Sequence, residues 1–218
     1  MTQHAAKKKT DAKDIIFPLV IFVAGTVGAV VARFSLPGFG NADVTFLVIM
    51  ASAAAVGYRD RILRGLLSIP FLYIATAVAA ILYEPASPYI GAPFGDFREV
   101  EPTRIVKALS FFVIMVAIVA ILEGSSRALF KDMSLPKLGM LDNLGGVLVG
   151  LVIGVLVAAL FFNSYGYNQR WQGDVDDAMF APMLLRVLDI GYQTQSIWFK
   201  GTPGFYVGAL NLAENLGE

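Results

Sequence analysis

Residues 141–162 read LDNLGGVLVGLVIGVLVAALFF, and this stretch decides the fold. Its one charged residue, Asp142, stands at the start. Gly146, Gly150 and Gly154 follow at intervals of four, with Gly145 beside the first. Residues four apart share one face of an α-helix. That face is therefore bare, while Val147, Leu148, Leu151, Val152, Ile153 and Leu156 cover the rest. In water each such glycine weakens a helix by about 1 kcal/mol. In lipid, small residues let a second backbone approach closely. We expect Gly145, Gly146, Gly150 and Gly154 to serve helix packing; a hinge or a pore-lining strip is the alternative.

The rest of the chain asks for the same solvent. Of 218 residues, 56% are hydrophobic and 16% charged, against about 25% charged in a typical soluble domain. Charges are absent from residues 15–32, 44–58, 65–83, 108–122 and 143–169. Apolar runs of about 18 residues or more are long enough to span a bilayer. The runs 44–58 and 108–122 have only 15 residues each, about 22 Å of helix. Their flanking charges, Asp43, Arg59, Lys107 and Glu123, would have to be accommodated by snorkelling or local thinning. The expected fold is all-α: a polytopic integral membrane helical bundle of about five transmembrane helices plus a C-terminal amphipathic helix. The spans are expected at about 15–33, 43–58, 65–84, 104–124 and 143–163.

Orientation follows from Lys and Arg near the spans. Residues 1–13 form a basic tail with Lys7, Lys8, Lys9 and Lys13. Basic residues before an apolar run also describe a signal peptide, but the run at 15–32 has 18 residues. An h-region has about 7–15, so an uncleaved anchor is favoured. Arg59, Arg61 and Arg64 follow the second span, and Arg127, Lys131 and Lys137 the fourth. The intervening loops carry fewer cations. The N-terminus is therefore expected in the cytoplasm and the C-terminus outside. Residues 84–104, with Pro85, Pro88, Pro93 and Pro102, are expected to be an irregular loop. Residues 164–218 read as an extracytoplasmic amphipathic tail. Its helix is expected over 177–199, with Pro182 absorbed in the first turn, on the outer membrane surface or against the bundle.

Three segments together resemble the colicin V production (CvpA) family of bacterial inner-membrane proteins. Residues 141–156, with Asp142 and the glycines, are similar to the family segment that opens its last span; Asn143 stands where arginine is common. Asp43 opens a span ending Gly57-Tyr-Arg-Asp-Arg61. This looks like the family helix that starts after an Asp and ends in a Gly-x-Arg-x-Gly type turn, with Arg59 in the arginine place and Arg61 in that of the second glycine. Residues 177–182, DAMFAP, resemble the family's Ser-x-hydrophobic-hydrophobic-Pro segment, with Pro182 kept and Asp177 in place of serine. The resemblance covers about 41–199 and leaves out the first span. It implies a role in colicin V production or export and in envelope homeostasis, at the inner membrane.

The residues themselves offer little chemistry. His4 is the sole histidine, in the N-terminal tail, and there is no cysteine. A histidine triad or a His/Cys metal site in the bundle is thereby excluded. No nucleotide-binding glycine loop is present, and zero net charge gives no footprint for nucleic acid. Asp174, Asp176 and Asp177 lack the spacing of a calcium loop and suit a helix start. We expect no cofactor, no metal and no catalytic residues. No charge lies at a span centre, the usual mark of coupled transport. The edge charges instead suggest a cytoplasmic ion-pair cluster of Asp142 and Glu123 with Arg59, Arg61 and Arg64, with Asp43 on the opposite membrane face. The expectation is a non-enzymatic membrane protein acting through helix packing, in the bilayer, with further copies of itself or other membrane proteins. A small oligomeric channel or transporter is the alternative.

Overall fold

A computed structural model describes residues 13–91, 104–129, 140–166, 174 and 177–196. The expectations for the basic tail at 1–12, for the loop over 92–103, for Lys131 and Lys137, and for the chain beyond 196 lie outside these residues. The described residues form five longer helices and no strand: α1 (Lys13–Ser35), α2 (Asn41–Gly91), α3 (Arg104–Leu129), α4 (Met140–Gly166) and α5 (Ala181–Ser196). Four of them, α1 to α4, are long and apolar enough to cross a membrane.

The 51 residues of α2 would extend about 76 Å if straight, more than twice the roughly 30 Å hydrocarbon core. They do not run straight. Arg61 has φ 66° and ψ 174°, and the helix breaks there. On the first side of the break, a Cβ added to Gly57 would strike the Gly146 carbonyl, one on Gly150 would strike the Ala53 carbonyl, and one on Gly154 would lie 3.0 Å from Met50 Sδ. The first arm, 41–60, therefore runs antiparallel to α4. On the other side, a Cβ on Gly65 would lie 2.9 Å from Val149 Cγ1, and Ile69, Leu72 and Thr76 share a cavity with Leu156, Ala159 and Leu160. The second arm, 62–91, therefore runs parallel to α4. Thus α2 is a helical hairpin that turns at one residue, and α4 packs along both arms.

The sequence places a loop at 58–64 between separate spans; the structure keeps Tyr58–Asp60 and Ile62–Arg64 helical and confines the turn to Arg61. The first arm consequently takes in both Asp43 and Asp60. Its twenty residues reach about 30 Å, so no thinning need be invoked. The proline-rich stretch after Glu84 is also not all loop. Helix continues to Gly91 because Tyr83, Ser87 and Gly91, four residues apart, are buried. Packing along that face overrides the breakers Pro85 and Pro88.

At the other end of the first arm, the chain leaves α1 through Pro37-Gly38. Gly38 has φ 82° and Phe39 N–H donates to the Leu36 carbonyl at 3.4 Å, the pattern of a type II turn. α1 lies against the first arm, with Phe17 stacked on Tyr58 (5.7 Å between centroids) and Gly25 on Ala51. α3 packs mainly on α2, where Tyr83 meets Phe111 edge-on at 6.4 Å. α5 lies against the bundle: Ala181, Leu184 and Leu188 join the core built from Ala42, Phe46, Ala159 and Leu160. It begins at Ala181, four residues later than the sequence suggests, with Pro182 in its first turn.

Candidate functional site

The structure brings the residues singled out in the sequence to two places, one at each end of the bundle. The first is the hairpin turn. Gly57 and Gly146 meet backbone to backbone: a Cβ on either would run into the other's carbonyl oxygen. Gly150 repeats the contact against Ala53, and Gly154 lies over Met50 and Ala53. Gly145 faces elsewhere, toward Ile62, whose Cδ1 would stand 2.8 Å from an added Cβ. The glycine face is an intramolecular seam between α4 and the first arm of α2.

That seam sets up the turn. With the helices in contact, the Arg61 Cα lies 2.8 Å from where a Gly146 Cβ would be. Breaking the helix at Arg61 frees the amides of the next turn. Asp142, buried in the first turn of α4, accepts from Ile62 N–H at 3.3 Å. Its other oxygen lies 4.0 Å from Arg61 Nη1. One carboxylate thus serves two helix N-termini, its own and that of the second arm, where the dipoles favour negative charge. Arg61 itself is half exposed, so the ion pair is the lesser part of the arrangement.

Around the turn lies a second set of charges. Arg127 bridges Asp60 at 3.1 Å and Glu123 at 3.4 Å, and Ser68 Oγ donates to Glu123 at 3.0 Å. The expected cluster of Asp142 and Glu123 with three arginines therefore resolves into two parts. Asp142 faces Arg61, whereas Glu123 faces Arg127 and Ser68 and lines a small pocket together with Arg64. Arg59 is exposed. Asp60, Ser68 and Arg127 were not foreseen as members; only the Glu123–Arg127 spacing of four offered a signal.

The second place is the far end, where Asp43 is fully buried. Its Oδ2 accepts from Gly40 N–H at 2.9 Å, the reach-back half of a capping box. Its Oδ1 accepts from Phe180 N–H at 3.3 Å. Leu184 N–H donates to the Phe180 carbonyl, so Phe180 is the cap of α5. Asp43 therefore repeats the device of Asp142: a buried carboxylate shared by two helix N-termini, α2 and α5. Phe46 and Phe180 pack on each other with ring centroids 4.5 Å apart. Pro182 helps start α5 but is itself exposed. No group of three or more His, Cys, Asp or Glu residues suited to a metal occurs among the described residues.

The family described as colicin V production protein matches residues 42–189. The chain belongs to this family. The match opens beside Asp43, takes in the hairpin, the glycine seam and Pro182, and ends within α5; α1 lies before it. The family resemblance puts a glycine at position 61, and the backbone there supplies the reason: φ 66° with ψ 174° is a region almost reserved for glycine. No curated protein and no solved structure matches the chain.

Proposed function

We propose that the protein is a non-enzymatic component of the bacterial inner membrane that supports colicin V-type bacteriocin production or export and envelope homeostasis. It would act through its packed helices and through contacts with further copies or partner membrane proteins. The family match over the hairpin, α4 and α5 carries this reading. The buried carboxylates fit it: Asp43 and Asp142 are engaged as helix caps, a structural use rather than a catalytic one.

The N-terminus would face the cytoplasm and α5 the outside. Arg59, Arg61, Arg64 and Arg127 gather at the turn end of the bundle, in keeping with the excess of cations on cytoplasmic sides. The test is secretion from a colicin V producer lacking this gene. Secreted toxin should fall and return with the wild-type chain, but not with Gly146→Leu. Undiminished secretion without the gene would reject the role. Nanodisc mass measurement would report the oligomeric state.

A further inference from the structure

Packing within the bundle accounts for only one apolar face of α5. Ala181, Leu184 and Leu188 are buried in the core. Met183 and Ile190 are exposed, Ile190 to 65%, as is Met179 just before the helix. Spacings of three and four put Met183, Arg186 and Ile190 on one face. This stripe lies at the depth of the spans. Asp43, at the start of the first arm, caps Phe180, and Val187, Leu188 and Gly191 share a mostly apolar cavity of about 240 Å³ with Ile69, Leu72, Leu156 and Leu160. Leu156 is seven residues short of Asn163, where the apolar span of α4 ends, about 10 Å of helix. α5 therefore lies beside the last turns of α4. An interfacial helix rests at such a depth, about 5–10 Å into the boundary between headgroups and acyl chains. Val187 stands four residues from Met183 and Gly191 and three from Ile190, so the cavity and the exposed stripe adjoin on the helix surface.

Hydrocarbon alone would satisfy the stripe but not Arg186. Arg186 is exposed and has no hydrogen-bond or ion-pair partner among the described residues. The one acid of α5, Asp189, accepts from Gln193 Nε2 at 3.2 Å instead. Asp189 and Gln193, three and seven residues beyond Arg186, mark its polar side; Met183 and Ile190 mark its apolar side. A guanidinium on that boundary lays its aliphatic stem along hydrocarbon and keeps its head at the polar surface, where it matches a phosphate with two hydrogen bonds. With no acid to offset its charge, Arg186 favours a lipid of net negative charge over a zwitterion.

We propose that α5 seats an anionic glycerophospholipid of the leaflet at the Asp43 end of the bundle. Its phosphate pairs with Arg186, and one acyl chain lies along Met183 and Ile190 and enters the cavity beside Val187 and Gly191. The site stands independently of any role in toxin secretion.

The chain has no cysteine, so Met179→Cys carries a single bimane reporter at the start of the stripe. The full chain is placed in nanodiscs of one mixture of phosphatidylcholine and phosphatidylglycerol, with brominated acyl chains on one lipid or on the other. Bromine quenches only a bimane that it touches. Per molecule, phosphatidylglycerol should quench about fivefold more than phosphatidylcholine. Arg186→Gln should bring that ratio to about one, and Arg186→Lys, which keeps the charge, should hold it above one. An added Cβ at Gly191 meets nothing within 4 Å, so Gly191→Leu should keep the fold, fill the cavity and lower quenching by phosphatidylglycerol. Equal quenching by the two lipids in the wild-type sequence would overturn the proposal. So would a preference that survives Arg186→Gln, or a Gly191→Leu protein quenched like its parent. Quenching by neither lipid would overturn it as well, because the stripe would then be covered by protein, a second copy or another partner.

Discussion

Replacing Arg61 by glycine should stabilise this protein, although it removes a residue paired with a buried aspartate. The magnitude follows from three contributions. A non-glycine residue held at φ 66°, ψ 174° costs about 1–3 kcal/mol, and glycine removes that strain. Against it stands the contact with Asp142, 4.0 Å long with the arginine side chain 44% exposed, which contributes about 0–1 kcal/mol after screening. Glycine also loses about 0.5–1 kcal/mol more backbone entropy than alanine on ordering. The balance is about 1 kcal/mol in favour of Arg61→Gly. Arg61→Ala forfeits the ion pair and keeps the strain, so it should be less stable than wild type by up to about 1 kcal/mol. The order Gly above Ala at position 61 inverts the order inside a helix, where glycine is worse by about 1 kcal/mol. Leu66 is helical and 49% exposed; there Leu66→Ala should exceed Leu66→Gly in the ordinary way. Equilibrium unfolding in mixed micelles, followed by circular dichroism, reads all four. If Arg61→Ala proves as stable as Arg61→Gly, the turn is not strained and the account of the hairpin fails.

Alanine substitutions at the glycines should rank by what a Cβ meets. Gly146→Ala strikes backbone and should cost about 1–3 kcal/mol, Gly145→Ala strikes the end of Ile62 and should cost less, and Gly28→Ala, with open space around it, should be neutral or stabilising; thermal melts in one detergent check the order. Asp142→Ala leaves Ile62 N–H without its side-chain acceptor and should cost about 1–3 kcal/mol, whereas Arg61→Gln should cost under about 1 kcal/mol. A double-mutant cycle between them should give a coupling below about 1 kcal/mol; a larger coupling would make the ion pair, not the cap, the working part. Asp43→Ala should loosen α5 in particular, so limited proteolysis should cut within 177–196 faster than in wild type while α2 to α4 stay intact.

The glycine seam was legible because glycines at a period of four leave one helix face bare for a second backbone, and the residues stand in one run. Its partner was not legible from periodicity. Gly57 presents a single glycine among alanines; the family resemblance marks it as part of a turn, but only the structure shows it meeting Gly146. The hairpin was hidden for a related reason. A stretch of Arg, Asp, Ile and Leu between two apolar runs reads as a charged loop, yet those residues are good or tolerable helix formers, and a turn of one residue leaves no composition signal. The extension to Gly91 went unread because prolines outweighed a buried face that only packing reveals. Asp43 and Asp142 were visible as edge charges, but Ile62 is 80 residues from Asp142 and Phe180 is 137 from Asp43. Local sequence cannot announce caps made over such distances.

The cap on Ile62 also has a place in time. The hairpin is synthesised first, and the aspartate that completes its turn lies 80 residues later. At about 5–20 residues per second the ribosome needs roughly 4–16 s to supply it. During that interval the Ile62 amide has no carboxylate and the left-handed Arg61 has no α4 pressed against it. The newborn hairpin is then free to open, and the arrival of the last span in the membrane is what commits the earlier pair to its final shape.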